Sequence, residues 1–216
     1  DMSFSVSVTQ PYSAWDGKNY AALANNARSA SYQREMQEKF RWVEYHKWKF
    51  SFKNYTALSN ATKCPVLMTR TEFGLLGYYN PHKKSPFETY YMGGDGMSGY
   101  STGYATETIG LRGYENGALT PYGSEGYAYS RMTMELRYPL MLGTTSIYAL
   151  GFVEGGNAWT SCKKFNPFDM KRSAGAGVRI LLPMIGMMGI DWPYGFDKVL
   201  GQKGGGQFHF IIGQEF

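Results

Sequence analysis

The chain ends Gln207-Phe208-His209-Phe210-Ile211-Ile212-Gly213-Gln214-Glu215-Phe216. Successive side chains of a β-strand point to opposite faces. Phe208, Phe210, Ile212 and Phe216 therefore share one face, and His209, Gly213 and Glu215 share the other. The first face is apolar and aromatic; the second carries small or polar groups. The segment also stops on an aromatic ring. Lipid-facing apolar residues alternating with smaller or polar lumen-facing ones are the pattern of a membrane barrel strand. The expected fold is all-β, a transmembrane antiparallel β-barrel.

Composition agrees with that class. A membrane-spanning helix needs about 18 or more consecutive apolar residues. The longest apolar run, residues 180–190, is shorter and is broken by Pro183, Gly186 and Gly189. No transmembrane helix is expected. The 18 tyrosines and 27 glycines, with only 18% charged residues, suit a barrel better than an ordinary water-soluble domain. The net charge of +5 is modest and Lys and Arg form no tract, so a nucleic-acid partner is not expected. No secretory leader is visible at Asp1; an exported protein should have one, so the chain is expected to start inside a longer precursor. Cys64 and Cys162 could pair in an oxidising compartment. The strand assignment below sets them at opposite ends of the barrel, so both are expected to be unpaired.

Working back from the C-terminus, the alternation repeats. Residues 3–9 place Phe4, Val6 and Val8 against Ser and Thr. A long loop over 11–38 follows, in which the alanines of 21–30 and the run 33–39 favour helix. Further strands are expected at 40–53, 66–79, 127–138, 146–159, 173–182 and 185–192, before the terminal strand. In the fourth, Met132, Met134 and Leu136 face outward, with Arg131, Thr133, Glu135 and Arg137 inward. Pro139 and Gly143 then mark a short turn. In the sixth, Ala174, Ala176, Val178 and Ile180 face outward and Arg179 inward. Trp159, Trp192, Tyr194, Tyr138 and Phe216 lie near strand ends and read as an interfacial aromatic girdle. Connections alternate long and short, with long ones at 11–38, 80–126, 160–171 and 195–206. Outer-membrane barrels keep short turns on the periplasmic side, which makes the C-terminus periplasmic.

The connection 80–126 contains Ile109-Gly110-Leu111-Arg112-Gly113-Tyr114-Glu115-Asn116-Gly117. It resembles the conserved loop motif, Val-Arg-Gly followed by Phe or Tyr, of the BamA family of outer-membrane barrel assembly factors. The stretch Ser85 to Gly99, the strand residues Met134-Glu135-Leu136, the run Phe152 to Trp159, the run Arg172 to Gly175 and the terminal strand are similar to the Bacteroidota form of that family. The likeness covers nearly the whole chain and is weakest over 15–39. In the family the motif loop folds into the lumen and its Arg pairs with acidic residues of the wall. The resemblance thus implies that Leu111, Arg112, Gly113 and Tyr114 form the motif, with Glu135 and Glu154 as its anchors. Strand parity puts Glu135 on the lumen face with Arg131 and Arg137. Glu154 can join it only if Tyr148 and Phe152 also face inward. Spacing alone leaves Arg112 as a solvated loop cation.

The family barrel has sixteen strands and is preceded by periplasmic POTRA domains. Eight strands are expected here. An eight-stranded barrel is filled by its own side chains and has no room for a folded-in loop. An open half-barrel leaves two unpaired edges in lipid. The chain is therefore expected to be the last eight strands of a sixteen-stranded barrel, with the other half and the POTRA domains supplied from outside it.

The resemblance implies a function in folding and inserting client proteins into the outer membrane through a seam at the C-terminal strand, residues Phe208, Phe210, Ile212, Gly213 and Phe216. Partners would be unfolded client proteins, outer-membrane lipids, accessory lipoproteins and the remaining half of the barrel. Other readings are a secretion or translocation pore of the same superfamily, a passive diffusion channel and an enzyme barrel. No cofactor and no metal is expected, since His46, His82 and His209 are dispersed. Gly93-Gly94-Asp95-Gly96 lacks the Lys-Ser/Thr of a phosphate loop and reads as turn glycines. Glu135 and Glu154 have no accompanying nucleophile, which argues against a catalytic pair.

Overall fold

A computed structural model describes residues 1–61, 63–96, 107–183, 186–199 and 205–212. Ten strands lie in it: β1 (Met2–Val8), β2 (His46–Ala57), β3 (Val66–Gly77), β4 (Tyr90–Met92), β5 (Glu107–Ile109), β6 (Ala128–Met141), β7 (Ser146–Trp159), β8 (Lys171–Leu182), β9 (Gly186–Gly195) and β10 (His209–Ile212). Eight form one sheet in the order β1-β2-β3-β6-β7-β8-β9-β10, and every ladder in it is antiparallel. This is a meander: each strand pairs with the one next along the chain, apart from the excursion that carries β4 and β5. Among the described residues β1 and β10 are the two edges, and no ladder joins them. No described helix is long and apolar enough to cross a membrane.

The sheet has two chemically distinct faces. On one, Phe4, Trp48, Phe52, Met134, Leu136, Val153, Val178, Ile190, Trp192, Phe210 and Ile212 are exposed apolar side chains. On the other, Glu72, Arg131, Thr133, Glu135, Glu154, Ser173, Arg179, Asp191 and His209 are buried and polar. In a water-soluble sheet the apolar face would be the buried one. The inversion is that of a membrane barrel wall, with lipid outside and a polar interior.

What buries the polar face is the connection between β3 and β6. It folds back onto the inner wall and carries a short parallel pair, β4 with β5. Tyr90, Met92, Ile109, Leu111, Tyr114 and Leu119 of this connection pack against Leu76, Tyr127, Tyr129 and Ala158 of the wall. The Tyr90 and Tyr129 rings meet edge-on with centroids 4.6 Å apart. Lys47 on β2 is drawn into the same layer and pairs with Glu88 at 3.1 Å and Glu107 at 3.2 Å.

The structure departs from several sequence expectations. The helix in the first long loop is confined to α1 (Tyr32–Lys39); residues 21–30 form turns instead, and a 3-10 turn stands at Tyr12–Ala14. Isolated alanine-rich runs of that length do not nucleate helix without a packed face. The second strand begins at His46, later than residue 40, because the residues after α1 are irregular. β6 does not end before Pro139 but runs through it to Met141. β3 stops opposite Arg137, so Pro139 has a neighbour on one side only, and a register shift follows it. A proline without a backbone N–H is tolerated where one side of the ladder is missing. Trp159 is buried under Phe165 of the following loop, ring centroids 5.0 Å apart, and so is no girdle residue. Trp192, Tyr194 and Tyr138 are exposed on the apolar face as expected. Phe216 lies outside the described residues. Cys64 and Cys162 are both free.

Candidate functional site

The motif loop Leu111-Arg112-Gly113-Tyr114 is seated on the inner wall at the C-terminal end of the sheet. Each of its four residues is less than 9% exposed, and Arg112 is fully buried. The wall residues under it come from five strands in succession. Register places Thr133 of β6 opposite Glu154 of β7, and Glu135 opposite Phe152. Glu154 in turn faces Ser173 of β8, and Gly177 of β8 faces Asp191 of β9, which faces His209 of β10. All these side chains share the lumen face by strand alternation.

Arg112 is the centre of the arrangement. Its Nη2 donates to Glu154 Oε1 at 2.7 Å and to Glu135 Oε2 at 3.1 Å. Its Nη1 donates to Asp191 Oδ2 at 2.8 Å, and its backbone N–H donates to Glu154 Oε2 at 3.0 Å. The guanidinium lies 3.5 Å from the centroid of the Phe152 ring, so the inward Phe152 that Glu154 requires is the floor of the site. Burial alone would lower the pKa of Arg112; the carboxylates of Glu154, Glu135 and Asp191 outweigh it and raise it. A planar fork spreads its donors over separate nitrogens and so reaches three carboxylates on different strands, where a lysine gathers its three donors on one atom.

The carboxylates are shared with wall arginines. Arg179 donates to Asp191 through Nη1 at 2.5 Å and Nη2 at 2.7 Å. Arg137 Nε donates to Glu135 at 2.6 Å. Thr133 donates to Glu154 at 3.2 Å, and Arg131 Nη2 lies 3.5 Å from it. Room for this network comes from wall glycines, Gly175 and Gly177 among them. A Cβ on Gly175 would stand 2.6 Å from the Phe152 ring, and one on Gly177 would stand 1.9 Å from Asp191 Oδ1.

The rest of the motif is fitted as closely. Gly113 has φ +91°, a conformation that L side chains rarely adopt. A Cβ there would meet Gly195 N at 2.9 Å and Ser173 Cβ at 3.0 Å. Replacement of Gly113 by Ala is therefore expected to cost about 1–3 kcal/mol of barrel stability, read as a lower urea midpoint in detergent; an unchanged midpoint would show the loop free to move away. Tyr114 Oη donates to the Arg172 carbonyl at 2.6 Å, and burial raises its pKa. Asp197, just after β9, accepts from Arg172 at 3.0 and 3.2 Å, and those hydrogen bonds hold its carboxyl below the usual range. The Gly113 N–H points to His209 Nε2 at 3.5 Å, a long contact that joins the motif loop to the last strand.

Sequence reasoning placed Leu111, Arg112, Gly113, Tyr114, Glu135 and Glu154, and the structure brings all six together. It missed Asp191 and Phe152 as partners of Arg112, and Arg179 as the second cation on Asp191. The signal was present: Asp191 is a lone charge between the apolar Ile190 and Trp192, so it had to face the lumen. Phe208, Phe210 and Ile212 are 60–68% exposed on the lipid-type face, away from the motif; Phe208 precedes β10 and stacks on Trp192 at 5.6 Å. Gly213, with Phe216, lies outside the described residues. The described residues hold no group of three or more His, Cys, Asp or Glu placed to bind a metal. Glu135, Glu154 and Asp191 are each engaged by guanidinium, and the Thr133 hydroxyl beside Glu154 donates to it. The arrangement is an electrostatic clamp.

Comparison with known proteins gives this geometry a context. The crystal structure of BamA from Haemophilus ducreyi lacking POTRA domains 1-3 superposes with a TM-score of 0.57 at 20% sequence identity, over 77% of this chain and 34% of that one. The fold is thus shared, and the chain spans about a third of that protein. No protein of curated function matches the sequence. Residues 3–216, which include the motif loop, the clamp and the terminal strand, match the Omp85 superfamily domain. The chain belongs to the Omp85 superfamily.

Proposed function

We propose that this chain is the C-terminal half of a sixteen-stranded barrel of the Bacteroidota type of BamA, and that the complete protein folds and inserts client β-barrels into the outer membrane. The remaining strands and the POTRA domains lie in the rest of the polypeptide, and the C-terminus is periplasmic. Clients enter at a lateral seam where β10 meets the first strand of the barrel. The step is non-covalent: an incoming strand is templated by backbone hydrogen bonds, as in β-augmentation. Outer-membrane lipids and accessory lipoproteins complete the assembly.

The observation that carries this reading is a motif loop clamped to the wall beside a last strand that stands at the sheet edge among the described residues. Arg112 and its carboxylates fix the loop to β6, β7 and β9 by short charged hydrogen bonds. β10 pairs with β9 from His209↔Asp191 to Ile212↔Met188, and its other edge carries no ladder among the described residues. A clamped wall that ends in an edge strand is suited to templating an incoming strand at that edge. The packed loop against Leu76, Tyr129 and Ala158 also fills the inner side of this half, which disfavours a passive diffusion channel.

The test is reconstitution of the complete protein in liposomes. Faster folding of an added unfolded outer-membrane protein is expected, over empty liposomes. Steady open conductance without such folding would favour a channel, and export of a polypeptide with a dedicated partner would favour a secretion pore. Gly213 carries a narrower expectation from its place in the terminal sequence. Lacking a side chain, it weakens the seam, so Gly213→Val should slow client insertion; normal insertion by that variant would count against the role.

A further inference from the structure

The connection between β1 and β2 emerges at the same end of the sheet as the β3–β6 connection, since strands alternate in direction. It holds a cavity of about 260 Å³ that the function above leaves unused. Its walls are of two kinds. Trp15 is 69% exposed and Trp42 54%, and Trp42 stacks on Tyr12 with ring centroids 5.3 Å apart. Asp16, Lys18, Glu38 and Arg41 line the cavity as well. Lys18 Nζ pairs with Glu38 at 2.6 Å, and both side chains remain nearly half exposed. Tyr20 donates to Asp16, and Arg41 lies over the Trp42 ring at 5.9 Å.

The pocket has two acids and two bases, so it does not select strongly for an anion or a cation. It offers donors and acceptors side by side, next to flat aromatic surfaces. Exposed large aromatics rimmed by polar groups mark interaction sites, and a few convergent polar groups beside aromatic walls are the usual make-up of a small-ligand pocket. The matching ligand is neutral, rich in hydroxyls and apolar on one face. The volume lies just below the roughly 300–1,000 Å³ of pockets for drug-sized molecules, which limits it to about one ring.

We infer that this cavity binds a single pyranose ring, stacked on Trp15 and hydrogen-bonded by the Asp16, Lys18, Glu38 and Arg41 groups. The ring belongs either to lipopolysaccharide or to a free or protein-borne glycan; a cell-surface source rests on the reading above that the long connections face outward.

Titration calorimetry on the complete protein in phospholipid nanodiscs, with a set of methyl hexopyranosides, tests the site. At least one pyranoside should give a saturable heat, and Trp15→Ala and Glu38→Gln should each weaken it by about tenfold or more. Trp15 is largely exposed, so its loss should leave barrel folding intact, which heat-dependent gel migration checks. Nanodiscs containing lipopolysaccharide separate the sources: a site filled by its sugars no longer responds to added pyranoside, whereas a site for other glycans still does. No heat from any pyranoside in phospholipid nanodiscs, or equal heat in both variants, overturns the inference. Client folding measured on the same preparations tells its failure from a failure of the assembly function, because either can be lost with the other retained.

Discussion

Arg112→Ala in the complete protein is expected to lower barrel stability by about 3–5 kcal/mol, the usual consequence of removing one partner from a buried ion pair. The reasoning rests on what the variant leaves behind. Glu135 and Glu154 are each 1% exposed and Asp191 is fully buried, so the lost guanidinium leaves three carboxylates secluded from bulk solvent. Arg137, Arg131 and Arg179 still reach Glu135, Glu154 and Asp191 respectively. That compensation is partial, since the Arg131 contact to Glu154 is 3.5 Å long. The loop also loses its side-chain hydrogen bonds to three strands together, while the backbone N–H to Glu154 remains. Arg112→Lys should recover little, because one ammonium on a flexible stem cannot reproduce the planar fork. Urea unfolding in detergent and heat-dependent gel migration are the measurements. Unchanged stability in Arg112→Ala would mean that the clamp is an ordinary solvated contact.

Asp191→Ala should be nearly as damaging, by about 3–5 kcal/mol, for the opposite reason. Asp191 stands between two guanidiniums, accepting from Arg112 at 2.8 Å and from Arg179 at 2.5 and 2.7 Å. Its removal leaves two buried like charges facing each other. Asp191→Asn keeps the shape and one acceptor oxygen, and should fall between wild type and Ala. The double variant Arg112→Ala/Asp191→Ala should be less destabilised than the sum of the two single variants, because each single change already breaks the shared contact. Strict additivity would place the two residues in separate networks. β9 carries Asp191 and pairs with β10, so this variant should also disturb the last strand, seen as faster proteolysis near the C-terminus.

Much of this was legible in the sequence. Alternation in β6, β8 and β10 identified the lipid face, because in a membrane wall the apolar face is the exposed one and each strand repeats the signal. β7 was found with the observed bounds although its alternation is less clean, and Glu154 did draw Phe152 inward. The ring that looked out of place in the lumen is the one that receives the Arg112 guanidinium. What stayed hidden depends on contacts distant in the chain. Asp191 is 79 residues from Arg112 along the sequence, and no local spacing links them. The parallel pair β4 and β5 has three residues per strand, too short for periodicity to register. Trp159 has the sequence position of a girdle residue, but Phe165 from the next loop covers it. The Ala-rich segment 21–30 has helix propensity without a surface to pack on, and propensity alone did not prevail.

The central claim is that the last strand is the working edge. A single cysteine at Ile212, in a background with Cys64 and Cys162 replaced by serine, can be oxidised against a cysteine in the terminal strand of a client stalled during insertion. Ile212 lies on β10, while Val178 lies on β8 in the middle of the sheet, flanked by paired strands on both sides. The account predicts a disulfide-linked adduct at position 212 well above that at a Val178→Cys control. Equal adduct at the two positions, or none at 212 while clients are still inserted, would contradict it.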